Sequence, residues 1–165
     1  MEIDTNLVVL DVVTRWSIDA ACSLIAAAGF LAWSVASVGV ARSLLGLAVA
    51  VGVGLVIDRL TAAPRTARLA DAAPLPAGAR EGSALRYAIR AAIVVGVVCA
   101  VSAVIVALLG GGALAAGWFA VLGIAHLRWI VRTRGTERRE RVEYQVSVGA
   151  WRERSVRYYV TSPAF

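Results

Sequence analysis

The sequence has few of the side chains that build metal and redox sites. It contains one histidine, His126, and two cysteines, Cys22 and Cys99, among 165 residues. Both cysteines lie in apolar segments and there is no Cys-x-x-Cys motif, so neither a disulfide framework nor a zinc site is predicted. A haem or metal site at His126 would need a second strong ligand, which only a symmetric oligomer could supply. We therefore expect no cofactor.

Catalytic motifs are absent as well. The sequence has no Gly-x-Ser-x-Gly, no His-Glu-x-x-His, and no glycine-rich loop that ends in Lys-Ser or Lys-Thr. The glycine run at 110–112 follows an apolar segment rather than a strand, which favours a break between helices over a phosphate-binding loop. These absences predict a protein that is not an enzyme.

Apolar residues are abundant. They make up 59% of the chain, against 17% charged residues, whereas soluble domains have about 45–50% and about 25%. The long uncharged blocks lie at 22–41, 43–57, 91–109 and 113–127, and the spanning segment of the last extends past Arg128 to 131. Twenty residues of helix span about 30 Å, the thickness of the bilayer hydrocarbon core. The sequence predicts an all-α integral membrane protein with four transmembrane helices.

Charges and glycines group these helices into two helical hairpins, at 17–57 and 84–131. Between the hairpins, residues 58–83 predict an Ala/Pro/Arg linker, because Pro64, Pro74 and Pro76 disfavour a long continuous helix. The sequences at the entry to the two hairpins are similar, Arg15-Trp16 beside Arg86-Tyr87. This similarity arises either from a parallel duplication or from shared composition alone.

Residues 1–16 form a separate N-terminal segment. Apolar residues recur there near helical spacing, with charged residues between them. This pattern predicts an amphipathic helix at the membrane surface, and the alternative is the first turns of the spanning helix itself.

The arginines predict the orientation. All seventeen basic residues are arginine, and only Arg42 lies at the tip of a hairpin. By the positive-inside rule, both termini and the 58–83 linker lie in the cytoplasm, or in the interior of a virus particle. The predicted location is a cellular or viral membrane, crossed several times.

Two stripes of small residues predict helix-packing faces. They consist of Gly46, Ala50 and Gly54 in the second spanning segment and Ala92, Gly96 and Ala100 in the third. Helices gain no hydrophobic energy by associating in lipid, so close approach across small residues is a main source of their association. Such faces can pack within one chain or between chains.

Charged residues lie at the edges of the apolar blocks, where they can reach water. Asp19 and Arg90 occupy equivalent positions in the two hairpins, so an ion pair between them is one expectation. Solvation at the interface and a proton or ion pathway are the alternatives.

The residues after the last spanning segment form a basic tail at 132–165. Their pattern predicts a short helix over 136–144 followed by a β-hairpin. The second part of this tail is too apolar for a solvated extension, so we expect it to dock on the linker, on a partner or on the membrane surface. The predicted docking residues are Tyr144, Trp151, Tyr158 and Tyr159. The arginines could contact anionic lipid head groups. Four glutamates lower the net positive charge of the tail, so nucleic acid is not an expected partner.

The function predicted from these features is that of a non-enzymatic structural or accessory subunit of a larger membrane assembly. Examples are a respiratory or secretion complex and a membrane-containing virion. The expected partners are membrane lipid and other membrane-protein subunits, or further copies of the chain. The alternative is a small oligomeric transporter or channel, although no polar residue near the bilayer midplane stands out beyond a few serines.

Overall fold

Four long helices form the body of the protein in a computed structural model. It describes residues 7–109, 111–147 and 158–161, and the side chains of these residues except at 61–70 and 109. The helices are α1 (Val12–Val38), α2 (Val40–Ala70), α3 (Ala84–Leu109) and α4 (Gly112–Glu140). Each is long and apolar enough to cross a membrane. The prediction of a mostly helical, multi-pass membrane protein is confirmed to this extent.

Glycines with positive φ separate successive helices. Gly39, between α1 and α2, has φ 85°, and Gly111, before α4, has φ 100°. Residues with a Cβ atom rarely adopt this backbone conformation, whereas glycine does so freely. The break predicted at Arg42 is therefore displaced to Gly39, and Arg42 belongs to the first turn of α2. A charge at a helix start can remain near water without interrupting the helix.

Five short strands form one mixed sheet. They are β1 (Val8–Asp11), β2 (Ala73–Pro74), β3 (Arg80–Glu81), β4 (Glu143–Ser147) and β5 (Tyr158–Thr161). The order is β2-β5-β4-β1-β3, in which β4 runs antiparallel to β5 and β1, and each edge strand runs parallel to its neighbour. The strands come from the segments before α1, between α2 and α3, and after α4. These segments meet at one end of the bundle, the sheet end; the opposite end, with Gly39 and Gly111, is the loop end.

The sheet packs on both of its faces. Tyr144 and Val146 lie on the face toward the helices and contact Val12 at the start of α1. Val9 and Tyr159 lie on the other face and pack with each other. This division follows from the alternation of side chains along a strand. The sheet is therefore an integral part of the fold rather than a separate tail.

The N-terminal segment and the linker differ from their predictions. Residues 8–11 of the helix predicted at 1–16 form β1, because their backbone pairs with β3 and β4; residues 1–6 lie outside the described residues. The helix α2 continues through Pro64 to Ala70, so only the later part of the predicted linker 58–83 lies outside it. The segment around Pro64 is rich in alanine and arginine, which favour helix strongly and offset one missing backbone hydrogen bond.

The C-terminal segment also has different boundaries. The helix predicted over 136–144 is the end of α4, which terminates at Glu140. The next residue, Arg141, adopts a left-handed conformation with φ 55° and is followed by β4. No proline interrupts the chain between 112 and 140, so nothing in the sequence stops the spanning helix at 131.

The helix α4 is the central element of the bundle. It packs along both α1 and α2, whereas α3 lies mainly against α1 and scarcely touches α4. The buried apolar cluster between α1 and α4 is built around Phe30 and Phe119, whose rings stack with centroids 5.6 Å apart. The hairpins predicted at 17–57 and 84–131 are not confirmed as packing units, because the main partner of each helix belongs to the other hairpin.

Candidate functional site

Small residues bring α2 and α4 into direct backbone contact. The facing residues are Gly46, Ala50 and Gly54 of α2 and Ala113, Gly117 and Val121 of α4. A Cβ atom on Gly46 would lie 2.8 Å from the Cβ of Ala113, and one on Gly54 would lie 2.6 Å from Cγ1 of Val121. A Cβ on Gly117 would collide with the Cβ of Ala50. The predicted stripe on α2 thus faces α4 of the same chain, and its glycines leave no space for a side chain.

Two further glycines of α4 face α1. A Cβ on Gly112 would lie 3.3 Å from the Cβ of Ser34, and one on Gly123 would lie 2.7 Å from Leu24. Gly117 and Gly123 are contact residues that were not predicted from the sequence. The available signal was the spacing of four between Ala113 and Gly117, which matches the stripe on α2.

A buried hydroxyl pair joins α1 and α2 near the loop end. The Oγ atoms of Ser34 and Ser43 lie 2.9 Å apart, and Ser43 Oγ also donates to the carbonyl of Gly39 at 2.8 Å. Because the single proton of Ser43 is used in the second bond, Ser34 is the donor in the first. Both serines are buried and both hydroxyls are satisfied. The pair therefore stabilises the turn at Gly39 and offers no vacant polar group.

Asp19 binds to α3 through Tyr87. The Tyr87 hydroxyl lies 2.9 and 3.0 Å from the two carboxylate oxygens, and Arg15 Nε donates to the same hydroxyl at 3.0 Å. Within the described part of the chain no ion pair joins Asp19 to Arg90, which is exposed. The predicted Asp19–Arg90 pair is not formed, because Tyr87, one turn before Arg90, and Arg15, at 3.8 Å on the same helix, bind the carboxylate.

A second polar contact joins α2 and α4. Arg128 Nη1 lies 2.9 Å from Asp58 Oδ2, and the aspartate is 8% exposed while the arginine is 40% exposed. The arginine keeps part of its guanidinium near water, which reduces the cost of burying the carboxylate. Both residues mark the ends of apolar blocks, and that shared position was the only signal for the pair in the sequence.

The tyrosines of the sheet are used within the chain. The Tyr144 hydroxyl donates to Glu140 at 3.0 Å and its backbone N–H donates to Glu137 at 3.1 Å. Burial, together with the Glu140 carboxylate, raises the pKa of Tyr144 to about 12. Tyr159 is buried and Tyr158 is half-buried. Trp151 lies outside the described residues. Tyr144 and Tyr159 are thus not available to bind a partner protein.

The stripe on α3 faces outward. Ala92, Gly96 and Ala100 are all exposed, and a Cβ on Gly96 would meet no atom within 4 Å. The face of α3 toward the bundle is instead formed by Val95, Cys99 and their neighbours. The two predicted stripes therefore differ: the one on α2 is covered within the chain, and the one on α3 is not.

Candidate metal ligands are dispersed. Among the described residues no three His, Cys, Asp or Glu side chains lie together. Cys22, Cys99 and His126 are half-buried on α1, α3 and α4, respectively. No protein family, curated protein or solved structure matches the chain. The helix faces and the two polar contacts at the sheet end are therefore the features on which a function can be argued.

We predict that Ala50→Leu strongly destabilises the protein. The larger side chain would have to enter the space of Gly117, and overpacking of this kind costs about 1–3 kcal/mol. The midpoint of thermal unfolding in detergent should fall, whereas Ala50→Gly should be tolerated. Gly52→Leu is the matched control, because a side chain at Gly52 meets nothing within 4 Å. Equal midpoints for Ala50→Leu and Gly52→Leu would contradict the α2–α4 contact.

Proposed function

We propose that the chain is a non-enzymatic structural or accessory subunit of a larger membrane assembly. The observation that carries this proposal is the open face of α3. Ala92, Gly96 and Ala100 form a small-residue stripe of the same type as the one that α2 uses against α4, yet nothing in the described part of the chain covers it.

The surroundings of this stripe support a helix as its partner. Ile93 and Val97, beside Gly96, are 60% and 59% exposed, so the face is apolar and fits the interior of a bilayer. Small residues allow a second backbone to come close, which increases van der Waals contact that lipid chains provide less well. A spanning helix of another subunit, or α3 of a second copy, would complete this face.

We further propose that both termini and the sheet lie on the cytoplasmic side, or inside a virus particle. Among the described residues, Arg42 is the one arginine near the loop end. In the sequence the other sixteen lie near the start of the first helix, at 59–90 or from 128 onward. The positive-inside rule favours this orientation. The chain would then cross the membrane as two pairs of helices, each of which enters and leaves on the cytoplasmic side.

Reporter fusions test the orientation. A reporter fused after residue 70 should be active as a cytoplasmic marker, and one inserted at residue 111 should be active as an external marker. The same location for both would contradict the four-span topology, and inverted locations would contradict the orientation alone.

The α3 face is tested by Gly96→Leu. Because the face is open, the substitution should leave thermal stability unchanged but reduce the amount of partner that co-purifies in a gentle detergent, or the size of the oligomer. Gly52→Leu on α2 is the control, since Gly52 is also open and lies in no stripe. An assembly unchanged by Gly96→Leu would show that α3 contacts lipid only.

A further inference from the structure

A cavity of about 620 Å³ lies at the loop end, among all four helices. Its walls are almost entirely apolar, and its volume falls within the range of about 300–1,000 Å³ that is typical of small-molecule sites. The lining includes Trp33 and Ser37 of α1, Arg42 and Val49 of α2, Ala107 of α3, and Leu114 of α4. The serine pair and the α2–α4 contact border this cavity through Ser34 and Gly46.

The small residues of the loop end and the loose attachment of α3 account for this space. Ala107, Gly112 and Ala113 line it with little side-chain volume. α3 has little contact with α4 and packs mainly on α1, so no large side chain of α3 fills the gap. The helices around the cavity are long and apolar enough to span a membrane, so in a bilayer the cavity would adjoin lipid.

Arg42 is the cation on the lining of this cavity. It is exposed, lines the cavity, and makes no ion pair with any described residue. The sequence offers none nearby, because no Asp or Glu occurs between residues 20 and 57 or between 82 and 136. An anion that binds Arg42 would come from outside these helices, and a guanidinium matches a phosphate particularly well.

We propose that this cavity binds an anionic phospholipid from the leaflet at the loop end. One acyl chain occupies the apolar space, and the head-group phosphate contacts Arg42 at its edge. Ser37 lies on the same lining, with its hydroxyl bound to the carbonyl of Trp33, and the Trp33 ring suits the interface between polar and apolar regions. This inference does not depend on the proposed assembly, because the α3 stripe and the cavity are different surfaces.

Quenching of Trp33 fluorescence by brominated lipids tests the site. The full-length protein is placed in detergent micelles and titrated with phosphatidylglycerol that carries brominated acyl chains, or with phosphatidylcholine that carries the same chains. Subtracting the signal of Trp33→Phe isolates Trp33 from the other four tryptophans. We expect Trp33 to be quenched at lower concentrations of the anionic lipid, and equal quenching by both lipids would overturn the role of Arg42.

Two substitutions with matched controls separate the charge from the cavity. Arg42→Gln should weaken the binding of phosphatidylglycerol about fivefold, because the contact of one arginine with an anionic lipid contributes about 1 kcal/mol. The binding of phosphatidylcholine should not change. Arg59→Gln is the matched control, because Arg59 is exposed at the other end of the spanning part of α2. This substitution should change the binding of neither lipid.

The cavity is tested by Ala107→Phe, which should fill it and reduce Trp33 quenching. Val104→Phe is the control and should leave quenching unchanged, because Val104 is exposed on α3 outside the lining. Unchanged quenching in Ala107→Phe would overturn occupation of the cavity.

Competition identifies the source of the anion. Unbrominated phosphatidylglycerol should displace the brominated lipid from the site, while glycerol 3-phosphate, which lacks acyl chains, should not. Displacement by glycerol 3-phosphate would show a soluble-anion site and overturn the lipid proposal. Displacement by oleate as effective as that by phosphatidylglycerol would show that a fatty-acid carboxylate suffices and would overturn the assignment of the phosphate to Arg42.

Discussion

The structure depends on the absence of side chains along α4. Gly112 and Gly123 face α1, while Gly117 faces Ala50 of α2, so the same helix presents bare backbone to two neighbours. Lipid tails are as apolar as the helices, so close contact is a main source of the preference of one helix for another over lipid. These glycines therefore allow α4 to lie between α1 and α2, and the aromatic contact of Phe30 with Phe119 extends that packing.

The polar contacts and the sheet follow from this arrangement. With α4 at the centre, Asp58 meets Arg128 near the sheet end, and the segments flanking the helices are brought close enough to pair as strands. α3 is attached differently, mainly through α1 and through the hydrogen bond of Tyr87 with Asp19. Its weaker attachment leaves both the open stripe around Gly96 and the cavity beside Ala107. The two surfaces that we propose to bind other molecules thus have one structural origin.

The sequence predicted the four helices because an apolar segment of this length satisfies its own backbone hydrogen bonds in a bilayer as an α-helix. It also predicted the α2 stripe, since Gly46, Ala50 and Gly54 recur at the spacing of one helix face. It did not predict which helix would cover that face, because spacing carries no information about the partner. The strand β1 was interpreted as helix, since four residues have no clear period and their conformation is decided by pairing with β4. The Asp19–Arg90 pair is not formed because Arg15, four residues before Asp19, and the Tyr87 hydroxyl bind the same carboxylate. Charge spacing could have indicated Arg15, whereas it carries no signal for the hydroxyl.

The direct test of the central packing is cysteine cross-linking of α2 to α4 in native membranes. In a chain whose own cysteines are replaced, Gly46→Cys combined with Ala113→Cys should form a disulfide, since the two Cβ positions need to move apart by only about 1 Å to reach disulfide geometry. Gly46→Cys combined with Gly96→Cys is the control, because α2 and α3 make no substantial contact. Our account predicts a cross-link within one chain for the first pair and no cross-link within one chain for the second. A first pair that remains reduced, or that cross-links only between two chains, would contradict the placement of α4 at the centre of the bundle.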